Sequence, residues 1–100
     1  MYQEALEREF ITKNIPYERE KRLKLFYQGK KMKKTYRADF LCYDKIIIEL
    51  KVAQFIPKGH YKQTRNYLKA THNRLGILVN FGKSSLEYKR ILNPIRNDSP

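Results

Sequence analysis

Asp39, Glu49 and Lys51 are the residues whose types and spacing could do chemistry together. The segment Tyr43-Asp44-Lys45 between the two acids reads as a three-residue hairpin loop. It would pair Cys42 with Ile46, Phe40 with Ile48 and Ala38 with Leu50, gathering apolar partners on one face, whereas a one-residue slip scatters them. Asp39 and Glu49 then become direct neighbours on the opposite face, with Lys51 beside them. Two carboxylates about 5 Å apart at an effective dielectric near 20 repel by roughly 3 kcal/mol, and a sheet gains nothing from such a pair. A divalent cation reverses that sign. Mg²⁺ takes one or two carboxylates plus waters in an octahedron and leaves positions for a phosphate oxygen. It also acidifies water and polarises phosphorus. Lys51 would stabilise the developing charge or hold the attacking hydroxide. The competing reading is a surface strand with scattered charges, in a chain that is 32% charged.

The surrounding pattern predicts the elements that must hold this triplet. Tyr2, Leu6 and Phe10 recur every four residues, giving a helix over residues 1 to about 13 that Asn14-Ile15-Pro16 ends. Alternation from Tyr17 to Tyr27 predicts a strand with Leu23, Leu25 and Tyr27 on one face, followed by a turn at Gln28-Gly29-Lys30-Lys31. Strands are expected from about Met32 to Cys42 and from Ile46 to Val52. A helix follows from about Lys58 to Thr71, with Asn73 as its stop. The apolar run Leu75 to Phe81 reads as a buried strand, parallel to the Ile46 strand across a right-handed crossover. Gly82-Lys83-Ser84-Ser85 turns the chain into a last strand, Leu86 to Leu92. The order α-β-β-β-α-β-β is an α/β domain with a mixed sheet over residues 1–92, with 93–100 as a flexible tail.

Composition narrows the partners. The chain of 100 residues carries 22 Lys+Arg against 10 Asp+Glu, a formal net charge of +12. Such a chain attracts polyanions over a Debye length of ~8 Å, with nucleic acid first and an anionic membrane surface second. The single cysteine, Cys42, excludes an internal disulfide or a zinc cage and reads as a small core residue. No apolar run approaches the ~20 residues of a membrane span. The first ten residues hold three glutamates rather than a signal sequence, so a cytoplasmic protein is expected. His60 and His72 lack partners at metal spacing, and Ser84-Ser85 is turn chemistry.

Arg37-Ala38-Asp39-Phe40 followed by Glu49-Leu50-Lys51 resembles the PD-(D/E)XK nuclease superfamily, whose α-β-β-β-α-β core matches the order above. The wider wording is Tyr-Arg-Ala-Asp-Phe-Leu, Ile-Ile-Glu-Leu-Lys, Asn-Tyr-Leu-Lys-Ala-Thr and Leu-Val-Asn-Phe-Gly. It resembles the GxxExxY family over about residues 2 to 92. The resemblance implies a restriction-endonuclease-like fold, with Asp39, Glu49 and the Leu50 carbonyl as ligands of Mg²⁺ or Mn²⁺ and Lys51 as the catalytic lysine. Gln63 and Tyr67, four apart on one helical face, resemble the QxxxY motif of exonuclease-type members, implying a glutamine that sets lysine or water and a tyrosine that holds substrate. Position 38 is alanine where the superfamily's name has proline. The glycine and glutamate of the family name would precede the tyrosine matched by Tyr2, so the chain as given reads as an N-terminally short member. Glu4 is then a candidate first-helix ligand, with an ordinary exposed glutamate as the alternative.

Three functions remain open on this reading: a metal-dependent nuclease, a non-enzymatic nucleic-acid-binding module of the same fold, and a scaffold whose basic face meets an acidic protein. Lys31, Lys34 and Arg37 around the first hairpin, with Lys58, Lys62 and Arg65 on the second helix, are the expected nucleic-acid contacts, with DNA ahead of RNA. If about five basic residues contact phosphates, log K should fall with log salt with a slope near −4.5 on duplex DNA. Tyr27, Tyr36, Tyr43 and Tyr61 are candidates for stacking on unpaired bases, or else half-buried sheet residues. An exposed sheet edge would allow a homodimer.

Overall fold

A computed structural model of the chain describes residues 2–82 and 86–93. Its elements follow the expected order: α1 (Tyr2–Thr12), β1 (Tyr17–Tyr27), β2 (Lys30–Cys42), β3 (Ile46–Lys51), α2 (Lys58–Thr71), β4 (Leu75–Asn80) and β5 (Glu87–Leu92). The turn residues Lys83, Ser84 and Ser85 and the tail from 94 lie outside the described residues. Among the described residues, no helix is long and apolar enough to cross a membrane.

Local chemistry accounts for the ends of these elements. Asn14 takes a left-handed conformation (φ 57°) and the Ile15 N–H returns to the Phe10 carbonyl at 2.8 Å, closing α1. Gln28 and Gly29, at φ 52° and 78°, make the two-residue turn whose twist suits adjacent antiparallel strands, so β2 starts at Lys30, earlier than expected. The left-handed residue ending α2 is His72 (φ 64°) rather than Asn73. Asn73 donates its backbone N–H to the Leu68 carbonyl and its side-chain amide to the Lys45 carbonyl, both at 3.0 Å.

The strands form one mixed sheet in the order β1-β2-β3-β4-β5. The first two pairings and the last are antiparallel, while β3 and β4 run parallel, as the helical crossover through α2 requires. The β2–β3 register is the expected one, Cys42↔Ile46 and Phe40↔Ile48 around the loop Tyr43-Asp44-Lys45. Both faces are covered. Phe40, Cys42, Ile48 and Val79 pack with Phe10 of α1, while Leu41, Ile47, Leu78 and Ile91 pack with Leu68 of α2. Cys42 is buried, and burial pushes its thiol up to about 11.

Two irregularities alter the faces that strict alternation predicts. A register shift between Lys24 and Phe26 leaves Tyr27 exposed and turns Phe26 onto the His72 ring, with centroids 4.9 Å apart. The second affects the site. Ala38 packs with the α2-side core, whereas Phe40, two residues on, packs with the α1-side core. Opposite this slip, Glu20 of β1 has φ 51°. Tyr17 and Leu23, on either side of Glu20, likewise join different cores. Asp39 therefore sits where β2 changes faces.

Candidate active site

The β2–β3 ladder ends at Phe40↔Ile48. The expected Ala38–Leu50 pair does not form, because Asp39 Oδ2 takes the Leu50 N–H at 2.8 Å in place of a backbone carbonyl. The Asp39 backbone N–H also favours the charged form of the Glu49 carboxyl. Asp39 thus stands at the mouth of the gap between the strands, bonded to the residue that follows Glu49. Beyond it, β3 stays paired to β4 through Lys51↔Asn80. The gap lies at the carboxyl ends of the parallel strands, where open α/β sheets bind their ligands.

Here a cavity of about 150 Å³ is lined by Tyr36 of β2, Glu49 and Lys51 of β3, and Gln63, Thr64 and Tyr67 of α2. Alternation along β3 turns Glu49 and Lys51 to the α2 side, and the four-residue spacing of Gln63 and Tyr67 aims both from one helical stripe. Four of the expected site residues therefore share one cavity. Asp39 approaches from the strand gap and is not among its walls. Tyr36 stacks on Tyr67, with centroids 3.9 Å apart and planes 16° apart, fixing that tyrosine's ring. Larger hollows of about 210 and 280 Å³ lie near the β2–β3 loop, at the opposite end of the sheet.

The electrostatics of the cavity are incomplete. Glu49 Oε2 is buried with no hydrogen-bond partner. Burial pushes the Glu49 carboxyl up to about 7, against smaller opposing effects of the Lys51 ammonium and the Asp39 N–H. A cation beside that oxygen would supply both the missing partner and the missing charge. Among the described residues no group of three or more His, Cys, Asp or Glu gathers to hold a metal. A site offering few carboxylate oxygens would suit a hard cation that keeps its waters, such as Mg²⁺ or Mn²⁺, and not a closed zinc cage. Glu4 is exposed on α1 and outside the cavity wall, and Glu7 faces Arg19 at 3.6 Å.

Lys31 and Lys34 are exposed on the first hairpin, and Lys58, Lys62 and Arg65 form an exposed stripe along α2 adjoining the Gln63–Tyr67 stripe. Arg37 is exposed but shared with Glu20 at 3.8 Å. Tyr27 and Tyr43 are exposed, whereas Tyr36 and Tyr61 pack against the core. Thr64 lines the cavity and Asn80 pairs with Lys51 in the sheet, and neither stands out in the sequence. Thr64 follows Gln63 and reads as a helix-face residue. Asn80 ends an apolar run, where asparagine is ordinarily taken for a turn residue.

A family model for the PD-(D/E)XK nuclease superfamily matches residues 1–91. Among curated proteins, none matches the chain. The crystal structure of SSO0001 is similar at 24% identity and a TM-score of 0.70, over 95% of this chain and 50% of that one. An alkaline exonuclease from Laribacter hongkongensis is similar at 17% identity and a TM-score of 0.63, over 89% of this chain and 53% of that one. This chain spans about half the length of each, and the likeness is one of fold. With the family match extending over nearly its whole length, the chain belongs to the PD-(D/E)XK nuclease superfamily.

Proposed function

We propose that the chain is a metal-dependent nuclease that hydrolyses nucleic-acid phosphodiester bonds at the carboxyl end of β3. The observation that carries this reading is the buried, unpartnered Glu49 oxygen in a cavity shared with Lys51, Gln63 and Tyr67. Buried polar groups ordinarily find partners, and one left without suggests an ion or ligand. Asp39, Glu49 and the Leu50 carbonyl would hold Mg²⁺ or Mn²⁺. Bound there, the cation would supply Lewis acidity at the phosphoryl oxygen and lower the pKa of water.

The chain's own residues perform the remaining work. Asp39, tied to the Leu50 N–H, fixes where β2 and β3 separate and so where the acids converge. Lys51 faces the reacting phosphate and offsets the negative charge that grows on its oxygens as water adds and the ester oxygen leaves. Gln63 orients the water, and Tyr67, braced by Tyr36, holds the substrate. Lys31, Lys34, Lys58, Lys62 and Arg65, with Arg37 once released from Glu20, contact phosphates and set position, not sequence. DNA is the favoured substrate. The Tyr36–Leu41 and Ile47–Lys51 wording supports placement in the GxxExxY family.

The same basic surface would serve a binding module without turnover. Incubating the protein with labelled DNA and Mg²⁺ or Mn²⁺, beside Lys51→Ala, separates the two. The nuclease reading expects metal-dependent cleavage that the variant loses by about 10³-fold. Equal cleavage by both proteins, or binding without cleavage by either, would remove it.

A further inference from the structure

Asn80 is fully buried at the end of β4, and its side chain makes four hydrogen bonds. Oδ1 accepts from the Ala53 N–H at 3.1 Å and from the Gly82 N–H at 2.9 Å. Nδ2 donates to the Ala53 carbonyl at 2.9 Å and to Glu87 Oε1 at 3.3 Å. Both backbone groups of Ala53, two residues beyond Lys51, are thus held by one side chain. The Phe81 N–H donates to the Lys51 carbonyl at 2.9 Å, continuing the grip by one residue. Gly82 closes it: a Cβ there would run into the Ala53 carbonyl oxygen and backbone nitrogen, so the two backbones approach as only glycine allows.

This arrangement is more than a strand end needs. Asn80 is also the sheet partner of Lys51 in the parallel ladder. The side chain therefore fixes the backbone immediately after the lysine while sitting beside it in the sheet. Without it, the chain after Lys51 has lost β2 on one side and not yet begun α2.

We propose that Asn80 is a positioning residue that, with Gly82, locks the segment after Lys51 so that the ammonium stays aimed into the Glu49 cavity. The proposal rests on the nuclease reading for its kinetic consequence alone, since the clamp itself is visible without activity. A displacement of about 1 Å at a reacting group can cost about 10²-fold in rate. Asn80→Ala, assayed with Mn²⁺ and a labelled linear duplex, should lower kcat by about that factor and change KM far less. Gly82→Ala, which leaves Asn80 in place but drives the backbones apart, should share the signature. Asn73→Ala removes a single side-chain bond, to the Lys45 carbonyl at the opposite end of the sheet. It controls for stability and should leave kcat as in the wild type.

The rate of amine labelling at Lys51, taken at one pH against an exposed lysine of the first hairpin, gives a readout without cleavage. It should change in Asn80→Ala and Gly82→Ala and stay as in the wild type in Asn73→Ala. An unchanged rate in folded Asn80→Ala, or equal kcat in Asn80→Ala and Asn73→Ala at matched loss of stability, would overturn the clamp. A wild type that never cleaves nucleic acid while the labelling rate changes in Asn80→Ala would sink the nuclease reading and leave the clamp standing.

Discussion

Where β3 and β4 begin, Asn73 gives its amide to the Lys45 carbonyl and Asn93 gives its own to the Asn73 carbonyl, each at 3.0 Å. The Asn93 backbone N–H closes onto the Arg74 carbonyl at 2.8 Å. Where the same strands finish, β2 parts from β3, a carboxylate replaces a ladder carbonyl at Leu50, and Glu49 Oε2 is buried with no partner. Both ends use asparagine side chains to tie backbone segments together, but one end is satisfied internally and the other is left wanting a positive charge. A sheet end serving only stability has no reason to keep an unpaired carboxylate oxygen out of water. This contrast, and not hollow size, supports the proposed site at the carboxyl end, since the larger hollows lie at the other end.

The largest expected effect separates the two tasks of Asp39. Asp39→Asn and Asp39→Ala should each reduce metal-dependent cleavage by about 10³-fold. The asparagine oxygen can still accept the Leu50 N–H, so Asp39→Asn should melt near the wild type, whereas Asp39→Ala loses on the order of 1–3 kcal/mol by orphaning that donor. Thermal denaturation and a cleavage assay on the same samples check both. If the two variants lost stability equally, the Asp39–Leu50 hydrogen bond would not be what holds the strand gap.

Next in size is a pH effect. The Glu49 carboxyl stands at about 7 when folded against 4.5 ordinarily, so the metal-free fold binds this proton more tightly than the unfolded chain does. Its stability contribution is complete below pH 4.5 and lost as pH rises through 7, a difference on the order of 3 kcal/mol. Denaturant melts should therefore find Glu49→Gln more stable than the wild type at pH 8 and indistinguishable from it at pH 4. Mn²⁺ should raise the wild type alone. At the satisfied end, Asn73→Ala should lose about 1 kcal/mol in the same melts. The smallest effects belong to the basic stripe. Lys62→Gln and Arg65→Gln should each flatten the salt dependence of DNA binding by about one in log–log slope.

Much of the framework was legible because turn chemistry and alternation agree. The Tyr43-Asp44-Lys45 loop, the β2–β3 register and the bounds of α2 all follow from where apolar partners must meet. The change of faces at Asp39 was not legible, because counting alternation presumes a regular strand and the kink belongs to a partner residue, Glu20, on another strand. Strict alternation likewise turns Tyr27 inward and Phe26 outward, because the register shift between Lys24 and Phe26 leaves no mark on the side-chain pattern. Helix and strand periods put Glu49 with Lys51 on one face of β3 and Gln63 with Tyr67 on one stripe of α2, while the expectation that the two pairs meet comes from the resemblance to the QxxxY motif. The grip of Asn80 on Ala53 was not legible, since its partners there are backbone groups and carry no side-chain signature.

A crystal grown with Mn²⁺ and measured for anomalous scattering asks most directly whether the unfinished end of the sheet is a cation site. A peak is expected where Asp39, Glu49 and the Leu50 carbonyl would hold the ion, and it should be absent in Glu49→Gln. A protein saturated with Mn²⁺ elsewhere and showing no peak there, with Glu49 turned toward another protein group, would contradict it.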